Sequence, residues 1–576
     1  MRNYRYFSLL LTVAVAASST PLGAQQPPTM DQAIAAIRAY APVALANQGA
    51  PGMSVAISDR THTIAIISSG LADVATNTPV TADTRFPIGS ISKSMTAIAL
   101  LELHDAGKVD LNAPVRRYLP SWSLNGGNAV LVHQLLSHTG GVPDDYAVAD
   151  SYGYDIAALR AAHTIFAPGT SWSYSNDGFA TVGAIVTKLS GTPWRDAVVA
   201  GVFAPLNMTQ SSAYFTTRTL ATAATGYVFR DGDYVATPPH PQLIPAAPMD
   251  FVDPAGSVIA APEDMARYMR FYLNGGEAPD GRHMISTASF NAMTTPDHLA
   301  NGKPAGAVQT ELEEWPEFYK QYGYGLAIFD TNGDHLIGHT GGVSGYTACM
   351  QANLTRGFGV TAMSNLVEAP LHPCAIVKYA MAVLRAQSLG QPLPAPPAGP
   401  PIPPPAVTPG DYAGTYRTEG GPSVVVGKDD SGMFLRDDKR YRLVALDHDM
   451  FWTDDPRFTV YYVAFERNPK KIVDGFTNGA AFYTNANYAG PTQWTYPASW
   501  DRLTGRYETT SYGTPAVTRI VIVKGKLTID GVLPVRDRNN GTYSSPAGTL
   551  RFDTPFEGKM QRLWVDGSDF YRIDLP

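Results

Sequence analysis

A proline-rich stretch near residue 400 constrains the fold of this chain more than any other feature of its sequence. Between Pro392 and Pro409, ten of the eighteen residues are proline. Proline fixes φ and lacks an amide donor, so this stretch can form neither a helix interior nor a central strand. We therefore predict an extended, semi-rigid linker over residues 391–409 that separates two unlike halves.

The half before this linker, residues 25–390, mixes strand and helix patterns. The predicted strands are Gly52–Ile57, Thr63–Ser69, Tyr324–Phe329, Asp334–His339, Tyr346–Leu354 and Gly359–Ser364. The predicted helices are Asp31–Asn47, Ser92–Asp105, Val130–Ser137, Gly178–Leu189 and Cys374–Gln387, with Asp31 as a candidate N-cap of the first. Strands at both ends with helices between them predict an α/β (α+β) domain, an antiparallel sheet flanked by helical layers.

The half after the linker consists of short strand patterns, many aromatic residues and frequent turns, and its opening pattern occurs twice. Tyr412-Ala413-Gly414-Thr415-Tyr416 starts one unit, and Leu503-Thr504-Gly505-Arg506-Tyr507 starts another. Alternating β-branched residues follow both. We predict two small antiparallel β-barrels of lipocalin-like design over residues 410–500 and 501–576.

The first 24 residues have the pattern of an export signal. Arg2 and Arg5 precede the apolar run Phe7–Ala17, and Leu22-Gly23-Ala24 fits a cleavage site. The pattern predicts a cleaved signal peptide over residues 1–24 and a periplasmic or secreted product; an uncleaved anchor is the alternative. Cleavage would change the net charge from −7 to −7 − 2 = −9.

Composition excludes several classes of protein. A net charge of −7 without a long Lys/Arg block argues against a nucleic-acid partner. The twelve histidines form no metal-binding motif, and no glycine-rich nucleotide loop follows a predicted strand, so we expect neither metal nor cofactor. The two cysteines, Cys349 and Cys374, fit either a disulfide in an oxidising compartment or two buried thiols.

The sharpest local motif is Gly89-Ser90-Ile91-Ser92-Lys93, where a loop enters a predicted helix. Residues three apart share a helix face, so the hydroxyl of Ser90 should lie beside the amine of Lys93. A serine nucleophile needs an adjacent base, and a lysine serves only when its pKa falls well below its usual value of about 10.4. Alone, the motif fits a helix cap with a solvated lysine equally well.

Two further motifs can complete a site around this serine. Tyr174-Ser175-Asn176 lies in a polar segment ahead of a helix, where the tyrosine could relay a proton and the asparagine could orient a substrate amide. His339-Thr340-Gly341-Gly342 ends a predicted strand, and its glycines let a backbone N–H approach a ligand closely. Such an amide, paired with that of Ser90, would form an oxyanion hole.

The four letters of the His339 motif also occur at His138-Thr139-Gly140-Gly141. This second copy follows the predicted helix Val130–Ser137 and precedes Pro143, a pattern that an ordinary helix end explains. His339 lies instead between two hairpin strands, where a substrate can lie alongside a sheet edge. We therefore assign the site to His339.

Taken in order, Ser90-x-x-Lys93, Tyr174-x-Asn176 and His339-x-Gly341 resemble the three signature elements of the penicillin-recognising serine hydrolases, a superfamily that includes class C β-lactamases, D,D-carboxypeptidases, D-aminopeptidases and esterases. The resemblance covers nearly all of residues 30–390 and implies a transpeptidase-like, β-lactamase-like α/β fold. Four supporting segments are Leu135–Gly141, Leu206–Thr209, Pro254–Ser257 and Asp264–Arg267.

The resemblance also implies a role for each motif residue. Ser90 would be the nucleophile, Lys93 a proton acceptor, and Tyr174 the general base that later activates the deacylating water. Asn176 would bind the acyl amide of the substrate, and His339 and Gly341 would contribute to substrate binding. The amides of Ser90 and Gly342 would form the oxyanion hole.

The third motif departs from the pattern of β-lactamases, which usually carry lysine there to hold a substrate carboxylate. A histidine would be only partly protonated near neutral pH. His339-x-Gly341 instead resembles the D-aminopeptidase and esterase branch, whose aminopeptidases carry two lipocalin-like barrels after the catalytic domain. There a loop of the last barrel narrows the active site, and Asn539–Pro546 is our candidate for that loop.

Three functions therefore remain open at this stage. The first is an exported peptidase or amidase acting on small or D-residue peptides, and the second is a carboxylesterase using the same residues. The third is a penicillin-binding sensor or scaffold that acylates without turnover. We expect a small-molecule or short-peptide substrate and no stable membrane anchor after signal removal. The sequence leaves the oligomeric state open.

Overall fold

The computed structural model describes residues 26–143, 152–229, 243–246, 253–306, 319–367, 373–397 and, with gaps of one or two residues, 409–573. The predicted signal peptide and most of the predicted linker lie outside these residues.

The described helices of the first half flank one large sheet. They are α1 (Met30–Gln48), α2 (Ser92–Asp105), α3 (Val132–Leu136), α4 (Tyr152–Ala158), α5 (Asn176–Ser190), α6 (Trp194–Val198), α7 (Thr217–Leu220), α8 (Pro262–Leu273), α9 (Thr287–Thr294) and α10 (Cys374–Ser388). The strands are β1 (Gly52–Asp59), β2 (Thr63–Asp73), β3 (Thr78–Pro79), β4 (Phe86–Pro87), β5 (Tyr227–Phe229), β6 (Leu243–Pro245), β7 (Ile259–Ala260), β8 (Ala327–Thr331), β9 (Asp334–Val343), β10 (Tyr346–Asn353) and β11 (Phe358–Ser364).

Seven of these strands form an antiparallel sheet in the order β3-β2-β1-β11-β10-β9-β8. The central strands β1, β10 and β11 are buried along almost their whole length because helices cover both faces. Helices α1 and α10 pack in the core on one face, and α2, α5 and α8 belong to the core on the other. The predicted antiparallel sheet with flanking helical layers is confirmed.

The N-terminal cap of α1 differs from the prediction. Thr29, not Asp31, is the N-cap: its hydroxyl accepts the N–H of Gln32, and its own N–H donates to Oε1 of Gln32. This reciprocal pair satisfies two amides that would otherwise lack partners. Asp31 lies inside the first turn, where its charge favours the helix through the dipole.

Of the two alternatives for the cysteines, the structure shows the disulfide, between Cys349 in β10 and Cys374 at the start of α10. It ties the last helix of the domain to a central strand. Among the described residues, no helix combines the length and the apolar character needed to cross a membrane.

The second half folds into two antiparallel β-structures. A closed eight-stranded barrel contains β12 (Gly414–Arg417), β13 (Ser423–Asp429), β14 (Gly432–Arg436), β15 (Arg440–Asp447), β16 (Met450–Thr453), β17 (Val463–Arg467), β18 (Val473–Asn478) and β19 (Ala481–Thr484). A nine-stranded sheet contains β20 (Gly505–Ser511), β21 (Thr514–Val523), β22 (Lys526–Ile529), β23 (Leu533–Pro534), β24 (Arg536–Asp537), β25 (Tyr543–Ser545), β26 (Gly548–Phe556), β27 (Lys559–Val565) and β28 (Ser568–Arg572). Two small barrel domains are therefore confirmed, whereas their lipocalin-like character stays a prediction.

The sequence repeat has a structural counterpart in two buried tyrosines. The hydroxyl of Tyr416 donates to the carbonyl oxygen of Tyr412 at 2.8 Å, and that of Tyr507 donates to the carbonyl oxygen of Leu503 at 2.8 Å. Both tyrosines are fully buried at the start of their barrel. The same hydrogen bond at the same position explains why the pattern occurs twice.

A lysine of the second barrel contacts the first. The Nζ of Lys524 lies 4.2 Å from the ring centre of Phe482 and donates to Oε2 of Glu466 at 2.5 Å. The rings of Tyr488 and Trp494 lie within 6 Å of the same ammonium group. Aromatic faces and a carboxylate thus surround one cation between the barrels.

Candidate active site

Ser90 lies in a short 3-10 helix, Gly89–Ile91, that leads directly into α2. Gly89 adopts a left-handed φ of +53°, and a Cβ there would lie only 2.5 Å from the amide nitrogen of Gly342. Only glycine fits both the conformation and the space. The turn therefore brings Ser90 against the end of β9.

Lys93 is fully buried in the first turn of α2, one turn after Ser90. Its Nζ donates to Oγ of Ser90 at 2.9 Å, to Oδ1 of Asn176 at 2.5 Å and to the carbonyl oxygen of Ala255 at 2.9 Å. Three of its hydrogen bonds thus go to uncharged oxygens. The Ser-x-x-Lys spacing places hydroxyl and amine in contact, and the solvated lysine of the alternative interpretation is not what the structure shows.

Tyr174 and Asn176 approach this lysine from the start of α5. Ser175 is the N-cap of α5, because its Oγ accepts the N–H of Gly178 at 2.9 Å. The Nζ of Lys93 lies 4.8 Å from the centre of the half-buried Tyr174 ring. Ser90 and, more than eighty positions later in the chain, Tyr174 and Asn176 therefore meet at one amine.

The end of β9 forms the other wall of the site. A Cβ on Gly341 would lie 1.9 Å from the carbonyl oxygen of Ile88 and 3.1 Å from the amide nitrogen of Ser90. Gly342 is exposed, and a Cβ there would meet nothing within 4 Å. Strand β8 pairs with β9 only as far as Gly338, so the last residues of β9 are not paired with β8.

His339 points into the protein. Its Nε2 accepts the hydroxyl of Tyr322 at 2.8 Å, and its Nδ1 contacts the carbonyl oxygen of Thr340. Burial, together with the charge of Lys93, lowers the pKa of His339 from 6.5 to about 3. The ring is therefore neutral at physiological pH, where the sequence predicted partial protonation. Its predicted contact with substrate stays a prediction.

Sequence analysis missed the contribution of His138, which it had assigned to an ordinary helix end. The ring of His138 is buried 4.4 Å from that of Tyr174, centre to centre, and its Nδ1 accepts the N–H of Ser175 at 3.1 Å. The repeated His-Thr-Gly-Gly letters were the available signal. The structure brings both copies of the motif to one site.

Asp253 was also missed. Its Oδ1 accepts the N–H of Ala255 at 2.8 Å and so shapes the turn whose carbonyl oxygen receives Lys93. Burial raises the pKa of Asp253, and the nearby charge of Lys93 opposes that shift. The signal was the supporting segment Pro254–Ser257, which begins one residue later.

A comparison with known families assigns this arrangement. The Beta-lactamase family matches residues 30–376, which is more than half of the chain. The chain belongs to the beta-lactamase family. The resemblance to penicillin-recognising serine hydrolases is thereby confirmed, and the chain is a serine hydrolase of this kind.

Individual relatives of this beta-lactamase-family chain include penicillin-binding proteins. Penicillin-binding protein 4 of Amycolatopsis lactamdurans is 29% identical over 304 residues, covering 51% of this chain and 75% of that protein. The octameric penicillin-binding protein homologue from Pyrococcus abyssi has a TM-score of 0.53 at 21% identity and covers 86% of this chain and 98% of its own. A D-amino acid amidase from Ochrobactrum anthropi has a TM-score of 0.50 at 22% identity, covering 61% of this chain and 99% of its own.

No group of three or more His, Cys, Asp or Glu side chains in the described part of this beta-lactamase-family chain lies close enough to hold a metal ion. The arrangement that the structure does offer is a hydroxyl, a buried amine and a phenol, with backbone amides beside them. That set suits nucleophilic acyl transfer.

Proposed function

We propose that this chain is an exported amide hydrolase that cleaves small or D-residue peptides through an acyl-enzyme on Ser90. One observation carries the proposal: the 2.9 Å hydrogen bond between Nζ of Lys93 and Oγ of Ser90, with Lys93 fully buried. A nucleophile and a base within hydrogen-bonding reach of one another are the recognisable signature of covalent catalysis.

In the acylation step, Oγ of Ser90 attacks the carbonyl carbon of the scissile amide and passes its proton to Lys93. This transfer needs Lys93 as an uncharged amine. Full burial disfavours the charged form of a base. The uncharged amine has two N–H groups, which can donate to Asn176 and Ala255, and a lone pair that can accept the hydroxyl proton of Ser90.

Collapse of the tetrahedral intermediate expels the amine of the leaving group, which must take up a proton. Tyr174 would relay it, and the 4.8 Å distance between its ring centre and Nζ of Lys93 supports this role. Water then attacks the ester of Ser90 with Tyr174 as the general base: the phenol oxygen takes the proton of the water while its own proton passes to the uncharged Lys93. Lys93 then returns a proton to the serine oxygen as the ester bond breaks. General acid–base catalysis of this kind contributes about 10²–10⁴-fold.

The negative oxygen of the intermediate would be bound by the amides of Ser90 and Gly342. The close approach of Gly341 to the amide nitrogen of Ser90 supports this assignment, because it holds the end of β9 against the nucleophile. One such donor is typically worth about 10²–10³-fold in rate.

The neutral, buried His339 favours substrates without a carboxylate at the third motif. A lysine at that position would supply a fixed charge, and His339 supplies none at neutral pH. A neutral ring fits peptides with an amide or a free amine better than penicillins. The shared fold of a D-amino acid amidase is consistent with this choice.

Export is supported by the disulfide and by the sequence of the first residues. The bond between Cys349 and Cys374 is of a type that persists in oxidising compartments. The predicted signal peptide over residues 1–24 would deliver the chain to the periplasm or the medium.

The test is a panel of three substrates: a D-alanine p-nitroanilide, p-nitrophenyl acetate and a fluorescent penicillin. We expect release of nitroaniline by the wild type, none by Ser90→Ala, and wild-type rates for the control Ser121→Ala at an exposed serine. Ester hydrolysis alone would favour the carboxylesterase. A persistent penicillin label without turnover would contradict the proposal and favour a sensor.

A further inference from the structure

His138 lies in an unusual backbone conformation directly after α3. Its φ is +59°, in the left-handed region, which is uncommon for residues other than glycine but in which asparagine, aspartate and histidine are enriched. The side chain is 2% exposed. A sparsely populated conformation persists where the surrounding structure fixes it, and such positions cluster at functional sites.

This conformation points two acceptors of His138 at the segment that carries Tyr174. The carbonyl oxygen of His138 accepts the N–H of Ser173 at 3.0 Å. The Nδ1 of the ring accepts the N–H of Ser175 at 3.1 Å. The two hydrogen bonds flank Tyr174, one on each side, so a single residue fixes the backbone before and after the tyrosine.

The hydrogen bond from Ser175 also sets the tautomer of the imidazole. Because Nδ1 accepts a backbone N–H, its lone pair is free of a proton, and the neutral ring carries its hydrogen on Nε2. Burial, together with the nearby charge of Lys93, holds the pKa of His138 well below its usual value. Protonation would place two N–H groups against each other at Ser175.

Within the part of the chain that the structure describes, the Nε2 of His138 has no hydrogen-bond partner, and its ring lies among aromatic rings. The ring centres around it, at 4.4–5.8 Å, belong to Tyr174, Tyr322, Phe179 and Trp172. That face of the imidazole therefore only packs, and the directional contribution of the side chain is made through Nδ1.

We propose that His138 is a positioning residue that holds Tyr174 over Lys93 by fixing the backbone on both sides of the tyrosine. The inference rests on the proposed function, since it assumes that Tyr174 exchanges protons with the reacting groups. His138 itself does not touch the substrate. It acts through the amide of Ser175 and through the face of the Tyr174 ring.

Two substitutions separate the acceptor from the packing. In His138→Asn the Oδ1 lies the same number of bonds from the backbone as Nδ1 of histidine, and asparagine tolerates a positive φ. His138→Phe keeps an aromatic ring but has no acceptor for the N–H of Ser175. His133→Asn, at a half-buried histidine of α3 that hydrogen-bonds to Asp297, is the control.

We expect His138→Phe to lower kcat by about 10²-fold, because a misplacement near 1 Å costs about that much. We expect the kcat of His138→Asn to remain within about threefold of wild type, because asparagine keeps an acceptor for the N–H of Ser175. We expect the same of the control, in which His138 is unchanged. In His138→Phe the limb of the kcat–pH profile that reports the general base should also shift. A smaller fraction of folded protein would instead lower the apparent kcat by the same factor at every pH. Titration of the active sites with a serine-directed label measures that fraction and corrects for it.

Identical pH profiles and kcat values in wild type and His138→Phe would overturn the inference, and so would an equal loss in His138→Asn. Hydrolysis that survives in Ser90→Ala would instead refute the proposed function, which keeps the two failures distinct. If His138→Phe does not fold, ¹⁵N NMR of the wild-type ring at pH 7 decides, with assignment by difference from His138→Asn. An imidazole protonated on Nε2 alone supports the inference, and a proton on Nδ1 overturns it.

Discussion

The Nζ of Lys93 donates a hydrogen bond to Oδ1 of Asn176 at 2.5 Å, across 83 positions of the chain. The contact joins the first turn of α2 to the first turn of α5 and completes a set of three acceptors around one buried amine. An uncharged acceptor satisfies the amine without stabilising its positive form as strongly as a carboxylate would. The identity of residue 176 therefore bears on the protonation state of Lys93.

Asn176→Asp should move the acidic limb of the kcat/KM profile to higher pH. A carboxylate 2.5 Å from Nζ favours the ammonium form of Lys93, so the uncharged amine appears only under more alkaline conditions. Activity at pH 7 should fall while activity at pH 9 partly recovers. Asn128→Asp, at an exposed asparagine, should leave the profile unchanged; a limb that does not move in Asn176→Asp would refute the assigned role of Lys93.

Gly341→Ala should lower both thermal stability and activity. Gly342→Ala should leave the thermal stability unchanged and should not lower activity by disturbing the fold. The new methyl group of the first would lie 1.9 Å from the carbonyl oxygen of Ile88, while that of the second meets nothing within 4 Å. We expect a lower Tm and a loss of about 10²-fold in kcat for Gly341→Ala. Calorimetry and initial rates test this, and equal Tm values for both variants would show that the end of β9 is not held against Ser90.

Acidification should destabilise the catalytic domain through His339. Its pKa is about 3 in the fold and 6.5 without the surrounding protein, so between these pH values the unfolded chain binds more protons. Stability from this group is present above pH 6.5 and falls as the pH drops toward 3. Urea denaturation at pH 7.5, 6 and 5 should show a smaller loss in His339→Gln than in wild type, and parallel losses would contradict the neutral assignment.

Lys524→Met should weaken the contact between the barrels. The substitution keeps the aliphatic stem but removes the charge that lies 4.2 Å from the Phe482 ring and bonds to Glu466. A cation–π contact of this type is worth about 1 kcal/mol. The calorimetric transition of the barrels should therefore shift to lower temperature in Lys524→Met. Lys526→Met, at an exposed lysine two residues away, is the control. Equal shifts in both variants would rule out the contact as the cause.

The fold could be predicted from sequence where strong local signals agree. Helix α2 has the predicted bounds Ser92–Asp105, because an apolar periodic segment ends at a glycine. The predicted N-cap of α1, Asp31, was wrong because both Thr29 and Asp31 are residue types that can cap a helix. The reciprocal hydrogen bonds between Thr29 and Gln32 make Thr29 the N-cap. The disulfide could not be predicted, because it depends on the packing of α10 against β10, which the positions of two cysteines in the sequence do not reveal.

The residues of the candidate site could be predicted from the sequence, but the contacts among them could not. Ser90 and Lys93 follow from helical spacing. Tyr174 and Asn176 were candidates from their polar segment, and their assignment to the site of Ser90 depended on the family resemblance, since no local pattern links them to residue 90. The repeated His-Thr-Gly-Gly letters could signal His138 but not its contribution, which depends on a left-handed turn and on a hydrogen bond from an amide 37 positions away.

The central claim is that Ser90 forms the covalent intermediate. Mass spectrometry of the intact chain and of its proteolytic peptides, after a short incubation with a fluorescent penicillin or a slowly hydrolysed D-peptide ester, tests it most directly. The account predicts one acyl group on the peptide that contains Ser90, and none on Ser90→Ala. An adduct on another residue, or one that persists in Ser90→Ala, would contradict it.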